Sequence, residues 1–281
     1  MKILLAGAYG KLGTDILKAL VRDGHDVLAV DMVVRDIDGI EGKYQKKVVN
    51  VTDKSAVAGI CEGMEAVITT VGLTRASAEL TCYDVDYQGN LNLLNEAKRA
   101  GVGKFAYISV LKADKNEKVP MLHAKAMLEQ ELKKSGIPYV IFRPTGYFYD
   151  IIKVFQPMID KGAVTLLGNK PVSANVIDTS DLADFVLLHL GDVNKTYDIG
   201  GTETYTYEEI AAMCFEAAGK TPVIKHTSPV IFDILAFVNK LKKNGKEAII
   251  RFSKWTLTES MVAENKFGKM SFRQYIKDHV K

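Results

Sequence analysis

Residues 7–13 have the sequence Gly7-Ala8-Tyr9-Gly10-Lys11-Leu12-Gly13 and follow an apolar run, Lys2–Ala6, that is typical of a buried strand. A helical period begins directly behind them, over Gly13–Arg22. Glycines with this spacing at a strand-to-helix turn allow a tight turn, let the backbone approach a pyrophosphate, and let the helix pack closely on the strand. The motif therefore predicts a dinucleotide-binding loop, and a merely glycine-rich turn is the weaker interpretation.

The first half of the chain continues this alternation of β-rich runs and helical periods, which is typical of a parallel sheet with right-handed crossovers. The predicted strands are Lys2–Ala6, Asp26–Val30, Lys47–Val51, Ala66–Val71, Lys104–Val110 and Tyr139–Phe142. After Phe142 the alternation weakens. We therefore expect an α/β protein with a doubly wound parallel sheet and a smaller C-terminal α/β substrate lobe. The expected boundaries are 1–148 for the nucleotide-binding domain, with segments around 174–200 returning to it, and 149–281 for the smaller lobe.

Composition and charge exclude several classes of protein. Of the 281 residues, 47% are hydrophobic and 25% are charged, as in a globular protein with a sizeable core, and the net charge of +3 does not call for direct nucleic acid contact. The three cysteines, Cys61, Cys82 and Cys214, have neither disulfide-framework nor metal-ligand spacing, which predicts no metal and a reducing cytoplasm. No apolar run reaches the roughly 18 residues of a membrane span, and no signal peptide is expected before Ile3.

The choice between NAD and NADP depends on charges close to the glycine loop. Asp31 ends the second strand, 18 residues after Gly13, where an acid accepts hydrogen bonds from the adenosine ribose and repels a 2′-phosphate. Lys11 and Arg35 are cations that could pair with such a phosphate. The sequence favours NAD and leaves NADP open.

Further segments match one known family together with the glycine motif. They are Asn50-Val51, Thr70-Val71-Gly72, Asp86–Leu94, Arg143-Pro144-Thr145, Asp178 with Asp181-Leu182-Ala183, and Phe267–Ser271 with Tyr275. On these residues the chain resembles the atypical short-chain dehydrogenase/reductase superfamily, in its NmrA-like branch. The family has an Asp where this chain has Asn50, whose amide oxygen can still accept a hydrogen bond from the adenine amine.

This resemblance implies a Rossmann sheet and a set of residues that bind the dinucleotide. The implied cofactor-binding residues are Gly7, Tyr9, Gly10, Lys11, Leu12, Gly13, Asp31, Asn50, Val51, Thr70, Val71, Gly72, Lys125 and Pro144.

The resemblance also implies catalytic residues, and here one position departs from the family. Ser109 and Lys125 match the Ser and Lys that orient the substrate oxygen and hold the nicotinamide ribose, but Met121 stands where the family has its proton-donating Tyr. His123 lies about 200° from Lys125 around a regular helix and is a weak replacement. The expected substrate pocket consists of Met121, Tyr147, Phe148 and Tyr149.

Two classes of function remain open at this stage. The first is an NAD(P)-dependent oxidoreductase that transfers hydride to a small apolar carbonyl, enone or quinone. The second is a non-catalytic NmrA-like protein that senses the dinucleotide or serves as a structural subunit. A sugar-nucleotide epimerase is a lesser alternative because that branch relies on the same missing Tyr. The sequence leaves a homodimer open and does not identify the substrate.

The C-terminal region is basic and contains one strongly amphipathic segment. Residues 220–281 carry a net charge of +8, against −5 for residues 1–219. In Ser228–Lys243, apolar residues recur at helical spacing and lysines follow at the end. The segment fits a helix on a membrane surface, but the sequence favours a lid helix packed on the smaller lobe.

Overall fold

A computed structural model describes residues 1–73 and 75–281 of the protein. The strands are β1 (Lys2–Ala6), β2 (Asp26–Asp31), β3 (Gln45–Val48), β4 (Ala66–Thr69), β5 (Lys104–Ile108), β6 (Tyr139–Pro144), β7 (Val164–Leu167), β8 (Ser173–Ala174), β9 (Lys195–Gly200), β10 (Tyr205–Thr206), β11 (Ile224–Thr227) and β12 (Asn265–Lys266). The α-helices are α1 (Lys11–Arg22), α2 (Lys54–Val57), α3 (Asn90–Arg99), α4 (Pro120–Lys134), α5 (Phe148–Asp160), α6 (Thr179–Leu188), α7 (Tyr207–Ala217), α8 (Val230–Leu241), α9 (Lys246–Thr258) and α10 (Phe272–His279). A π-helical segment, Tyr83–Gly89, leads directly into α3.

In the described part of the chain, eight strands form one sheet in the order β12-β9-β6-β5-β4-β1-β2-β3. The pairings of β1 with β2 and β4, of β2 with β3, and of β5 with β4 and β6 are all parallel. The chain therefore runs outward through β2 and β3, then returns to the other side of β1 at β4. This reversal confirms the expected doubly wound sheet and places its switch point between β1 and β4, where ligands bind in such sheets.

The sheet has more strands than the six expected from the sequence. The additional strands in the described chain are β9 and β12, which pair in parallel. Residues 197–199 fall within the segments around 174–200 that the sequence expects to return to the nucleotide-binding domain, and they lie in β9, which extends the main sheet. Periodicity identifies a strand but does not say which sheet it joins.

The chain divides into two compact units. The first contains Met1–Arg143 and Leu182–Tyr197. Its core lies against the central strands, whose residues Ile3–Ala6 and Ala66–Thr69 are all buried, as expected for parallel strands covered on both faces.

The second unit contains Pro144–Asp181 and Asp198–Lys281. Within it, β7 pairs with β11 in parallel and β8 pairs with β10 in the antiparallel direction. A capping box between Thr206 and Glu209 starts α7. Within residues 1–73 and 75–281, no helix is long and apolar enough to cross a membrane.

Candidate functional site

Two glycines of the loop between β1 and α1 are required by the fold itself. Gly7 has φ +77°, and a Cβ there would lie 2.5 Å from the Thr70 hydroxyl oxygen. A Cβ on Gly13 would lie 2.0 Å from the Gly7 carbonyl oxygen, closer than any real contact. These two positions hold α1 tightly against the turn.

Gly10 differs from both of its neighbours in the motif. It is exposed, its φ is −66°, and a Cβ would meet the Gly7 carbonyl oxygen at an ordinary 3.5 Å. The fold therefore tolerates a side chain at Gly10, which would stand on the open surface of the loop. Within the described chain, no side chain caps the first N–H groups of α1. These groups and the positive end of the helix dipole are suited to hold a pyrophosphate at this surface.

Asp31 is tied to the glycine loop at the end of β2. Its carboxylate accepts hydrogen bonds from the backbone N–H of Tyr9, at 3.1 Å, and of Met32, at 2.7 Å. Arg35 donates to the Tyr9 carbonyl oxygen at 3.1 Å, and its guanidinium lies 5.4 Å from the centre of the Tyr9 ring. An acid suited to ribose hydroxyls and a cation suited to a phosphate therefore both contact Tyr9. Lys11 lies 3.7 Å from Asp15, one helical turn along α1.

Asn50 and Val51 are engaged within their own loop. The amide oxygen of Asn50 accepts hydrogen bonds from the Thr52 N–H, at 3.1 Å, and from the Thr52 hydroxyl, at 2.9 Å. An adenine amine would have to compete with Thr52 for this oxygen. Val51 is buried, and its carbonyl oxygen accepts a hydrogen bond from the Asn92 amide at 2.9 Å.

The segment after β4 connects the glycine loop with a buried ion pair. The Thr70 hydroxyl donates to the Gly7 carbonyl oxygen at 3.0 Å. Two residues later, a Cβ on Gly72 would lie 2.9 Å from an Asp86 carboxylate oxygen and 3.3 Å from the Lys125 ammonium. Gly72 thus lets the backbone pass directly over these two charged groups.

Lys125 and Asp86 form this ion pair, with 3.0 Å between the Lys125 Nζ and the Asp86 Oδ1. The Lys125 side chain is 14% exposed and the Asp86 side chain is 0% exposed. The other Asp86 oxygen accepts a hydrogen bond from the Leu73 N–H at 2.9 Å. The Lys125 ammonium also lies 5.7 Å from the centre of the Tyr107 ring. Burial raises the pKa of the wholly buried Tyr107 phenol, and the charge on Lys125 partly opposes this shift.

Ser109, the residue expected to orient the substrate oxygen, directly follows β5. Its side chain is buried, and its hydroxyl donates to Glu129 at 2.6 Å. The same Glu129 oxygen accepts a hydrogen bond from Arg143 at 2.9 Å, and the second Arg143 nitrogen pairs with the other oxygen. In this structure the Ser109 hydroxyl therefore satisfies a buried carboxylate.

Met121 and Lys125 are four residues apart on α4 and therefore lie on one face of the helix. Met121 is buried and places an apolar side chain where the family has a hydroxyl. His123 lies with its Nδ1 3.2 Å from the Tyr83 hydroxyl, and the two rings meet edge to face. These contacts give His123 a structural role on the π-helical segment.

The aromatic residues expected in the substrate pocket belong to the second unit, as does Pro144, the buried last residue of β6. Phe148 is 2% exposed and packs against Phe272 and Tyr275, with ring centres 4.7 Å and 5.3 Å away. It is therefore a core residue of this unit. Tyr147 and Tyr149 are half-buried and stack on each other at 5.7 Å.

Sequence reasoning missed the role of two buried acids, Asp86 and Glu129. Asp86 lay within a segment read only as a packing helix, and a charged residue among buried neighbours needs a partner. Glu129 follows Lys125 by one helical turn, so it shares the α4 face that the family motif highlights. Such spacing is a usable signal for a second ionic group close to the site.

Comparison with known proteins agrees with this geometry. A curated relative, the photosystem II assembly factor Ycf39 of Synechocystis sp., is 28% identical over 267 residues, which is 92% of this chain and 77% of that protein. The divinyl chlorophyllide a 8-vinyl-reductase of Zea mays is 28% identical over 268 residues, which is 84% of this chain and 64% of that protein. The crystal structure of a nucleoside-diphosphate-sugar epimerase from Staphylococcus aureus has the same fold, with a TM-score of 0.77 at 19% identity over 99% of this chain and 100% of that chain.

The family comparison covers both the glycine loop and α4. A family model described as NAD(P)H-binding matches residues 7–192. Together with the Rossmann-type sheet, this match confirms the resemblance to atypical short-chain dehydrogenase/reductase proteins. The chain belongs to the NAD(P)H-binding family.

Proposed function

We propose that the protein is an NAD(P)H-dependent reductase that transfers hydride to an activated double bond or a quinone, with NAD preferred as the cofactor. The observation that carries this proposal is the apolar Met121 on the α4 face that also presents Lys125. Met121 leaves the family's proton-donating position without an acid, and the Ser109 hydroxyl donates to Glu129. Reduction of an enone or a quinone can take its proton from water and so does not need such an acid.

The residues of the first unit have distinct parts in this proposal. The N–H groups at the start of α1 hold the pyrophosphate over the open surface at Gly10, while Asp31 accepts hydrogen bonds from the adenosine ribose hydroxyls. Thr70, Val71 and Gly72 support the adenosine side of the site. Lys125 holds the nicotinamide ribose, and its ammonium stabilises negative charge on the acceptor oxygen. When bound, the nicotinamide supplies the hydride.

Two further observations support this acceptor class and compartment. The name of the maize relative describes reduction of a vinyl group, a carbon–carbon double bond.

Cys61, Cys82 and Cys214 are buried and free, and burial raises the pKa of the Cys82 thiol to about 11. Inert, unpaired cysteines of this kind suit the reducing cytoplasm that we propose as the compartment.

Cofactor oxidation with three acceptor classes tests the proposal. We expect NADH oxidation with enones and quinones to exceed that with simple ketones, and to saturate with acceptor concentration. Gly10→Val is the matched control, because it blocks the loop surface and leaves the fold in place. Oxidation at the buffer rate with every acceptor, in a sample that binds NADH saturably, would contradict the reductase proposal.

A second candidate function is a dinucleotide-binding assembly or sensing protein without turnover. Both polar groups at catalytic positions are engaged in buried contacts, Ser109 with Glu129 and Lys125 with Asp86, which favours this alternative. The Synechocystis relative is named as an assembly factor. Saturable NADH binding without acceptor-dependent oxidation is the result that this alternative predicts.

A further inference from the structure

Helix α8 of the second unit exposes large apolar side chains along most of its length. Within the described chain, Ala236 is the only residue of α8 that is buried. The exposed apolar residues are Val230, Ile231, Ile234, Leu235, Phe237, Val238 and Leu241. At 100° per residue they fall in a single stripe about 160° wide along the helix.

The opposite face of α8 carries the buried Ala236 and the half-buried Phe232, and polar groups beside them also contact α9 and the turn before it. Asp233 forms an ion pair with Lys254 of α9, at 2.6 Å. Asn239 accepts a hydrogen bond from Asn244, in the turn between the two helices, at 2.8 Å. Surface helices of globular proteins turn their apolar face inward, whereas α8 leaves its wide apolar stripe exposed. The lid interpretation required the apolar stripe to be packed, so the structure corrects it.

A cluster of lysines follows the apolar stripe directly. Lys240, Lys242, Lys243 and Lys246 are all exposed at the end of α8 and the start of α9. The nearby acids are paired elsewhere: Asp233 with Lys254, and Glu247 with Arg251 at 2.9 Å. The end of α8 therefore carries a concentrated positive charge, within a region whose net charge is +8.

We propose that α8 docks on the surface of an anionic lipid membrane, with its apolar stripe at the acyl boundary and its lysines among the headgroups. A wide apolar face flanked by lysines is the pattern of helices that lie in the membrane interface. The 12 residues of α8 extend about 18 Å, which is too short to span a bilayer and long enough to lie along one.

Charge also disfavours a second copy of the chain as the occupant of this stripe. Two copies of α8 packed in parallel would bring their lysine clusters together. Packed antiparallel, the cluster of one copy would approach the exposed Lys225 before α8 of the other. An anionic surface attracts the positive charges at both ends of the helix, whereas a second copy would bring like charges together in either orientation.

Vesicle flotation with the full chain tests the proposal. The vesicles contain phosphatidylcholine alone, or phosphatidylcholine with about one third phosphatidylglycerol. We expect the wild-type protein to float with the anionic vesicles, to bind the neutral ones at least tenfold more weakly, and to lose anionic binding as salt rises. Binding to neither kind of vesicle, or equal binding to both, would overturn the proposal.

Matched variants separate the stripe from exposed apolar surface in general. Phe237→Glu/Leu241→Glu changes side chains that are 59% and 67% exposed, and Val193→Glu/Leu188→Glu changes side chains that are 55% and 67% exposed elsewhere. The first pair should reduce anionic vesicle binding more than tenfold, and the second should leave it unchanged. Circular dichroism and the emission of Trp255, which lies on α9, check that each variant is folded. Unchanged binding by the first variant would overturn the assignment of α8.

Two further measurements address the lysines and the competing occupant. Lys242→Gln/Lys243→Gln should weaken binding to anionic vesicles by about fivefold per lysine and leave binding to neutral vesicles unaffected. Sedimentation without lipid tests for a second copy. A concentration-dependent dimer that Phe237→Glu/Leu241→Glu abolishes would overturn the lipid assignment and identify the stripe as an interface between copies.

Discussion

The glycine loop contains the cofactor-binding half of the family motif, and helix α4 contains most of its catalytic half. The two regions differ in whether their functional groups are open to a ligand. In the loop, Gly7 and Gly13 hold the turn against α1 while Gly10 leaves its surface open. On α4 and directly after β5, the polar side chains contact buried partners: Lys125 contacts Asp86, and Ser109 contacts Glu129. The loop thus offers an open surface to a ligand, whereas the two polar side chains at the family's catalytic positions already have buried partners.

The difference has a physical origin. Binding by the loop depends on the absence of side chains, which no neighbouring residue can redirect. Catalysis by a hydroxyl or an ammonium depends on what else lies within hydrogen-bond distance, and a buried carboxylate binds such a group strongly. The predictions below test the two halves separately.

The largest expected effect is at Gly13. In Gly13→Val the new Cβ would lie 2.0 Å from one backbone atom of Gly7 and 2.9 Å from another, so the destabilisation should exceed the roughly 1–3 kcal/mol of ordinary overpacking. Gly10→Val should keep wild-type stability and lose NADH binding. Urea unfolding measures the stability of both variants, and calorimetric titration measures their NADH affinity. Wild-type NADH affinity in Gly10→Val would contradict the role assigned to the loop surface.

The buried ion pair on the α4 side should be the next most sensitive feature. Lys125→Met leaves the fully buried Asp86 carboxylate without its cation, which should cost about 3–5 kcal/mol of the free energy of unfolding. Asp86→Asn/Lys125→Met should be more stable than the sum of the single variants by about 1–3 kcal/mol. Urea unfolding of all four proteins gives this coupling energy. Additive effects would show that the two groups do not interact.

Turnover separates the two roles of Lys125. In the Asp86→Asn background, where the carboxylate paired with Lys125 is absent, adding Lys125→Met should reduce kcat by about 10² to 10³ if the ammonium stabilises charge on the acceptor. The NADH dissociation constant should change by less. Equal losses in binding and in kcat/KM, with kcat unchanged, would limit Lys125 to holding the cofactor.

The sequence predicted the elements that depend on local pattern. The strand Lys2–Ala6, the glycine turn and the doubly wound sheet follow from periodicity and from residues that stand next to each other in the chain. The addition of β12 to the sheet and the partners of Ser109 depend on contacts between residues far apart in sequence, which no local pattern specifies. The predicted packing of the apolar face of α8 was wrong for a related reason. An amphipathic period gives a helix two faces but does not say which face contacts the rest of the protein.

The preference between NAD and NADP is expected to change by a smaller amount, and it depends on Asp31 beside the glycine loop. Asp31→Arg should reverse the preference for NAD by removing a charged acceptor and adding a phosphate partner, a change of about tenfold to a hundredfold in relative affinity. Because Asp31 also accepts the Tyr9 and Met32 N–H groups, Asp31→Asn is the control for loosening of the loop. Titration with NADH and NADPH measures the ratio. Tighter binding of NADPH by the wild-type protein would instead assign the site to Arg35 and Lys11.

The smallest expected effect is at Ser109, which directly follows β5. It tests whether this residue of the family motif takes part in catalysis. Ser109→Ala removes one hydrogen bond to Glu129, which keeps its two contacts with Arg143. The free energy of unfolding should therefore fall by about 1.5 kcal/mol, the lower value for a hydrogen bond to a charged group. With the best acceptor, kcat should stay within about twofold of wild type, since a buried hydroxyl that already donates to Glu129 has no proton to offer a substrate. A hundredfold loss of kcat at unchanged stability would show that Ser109 leaves Glu129 during turnover and acts on the substrate, as the family motif implies.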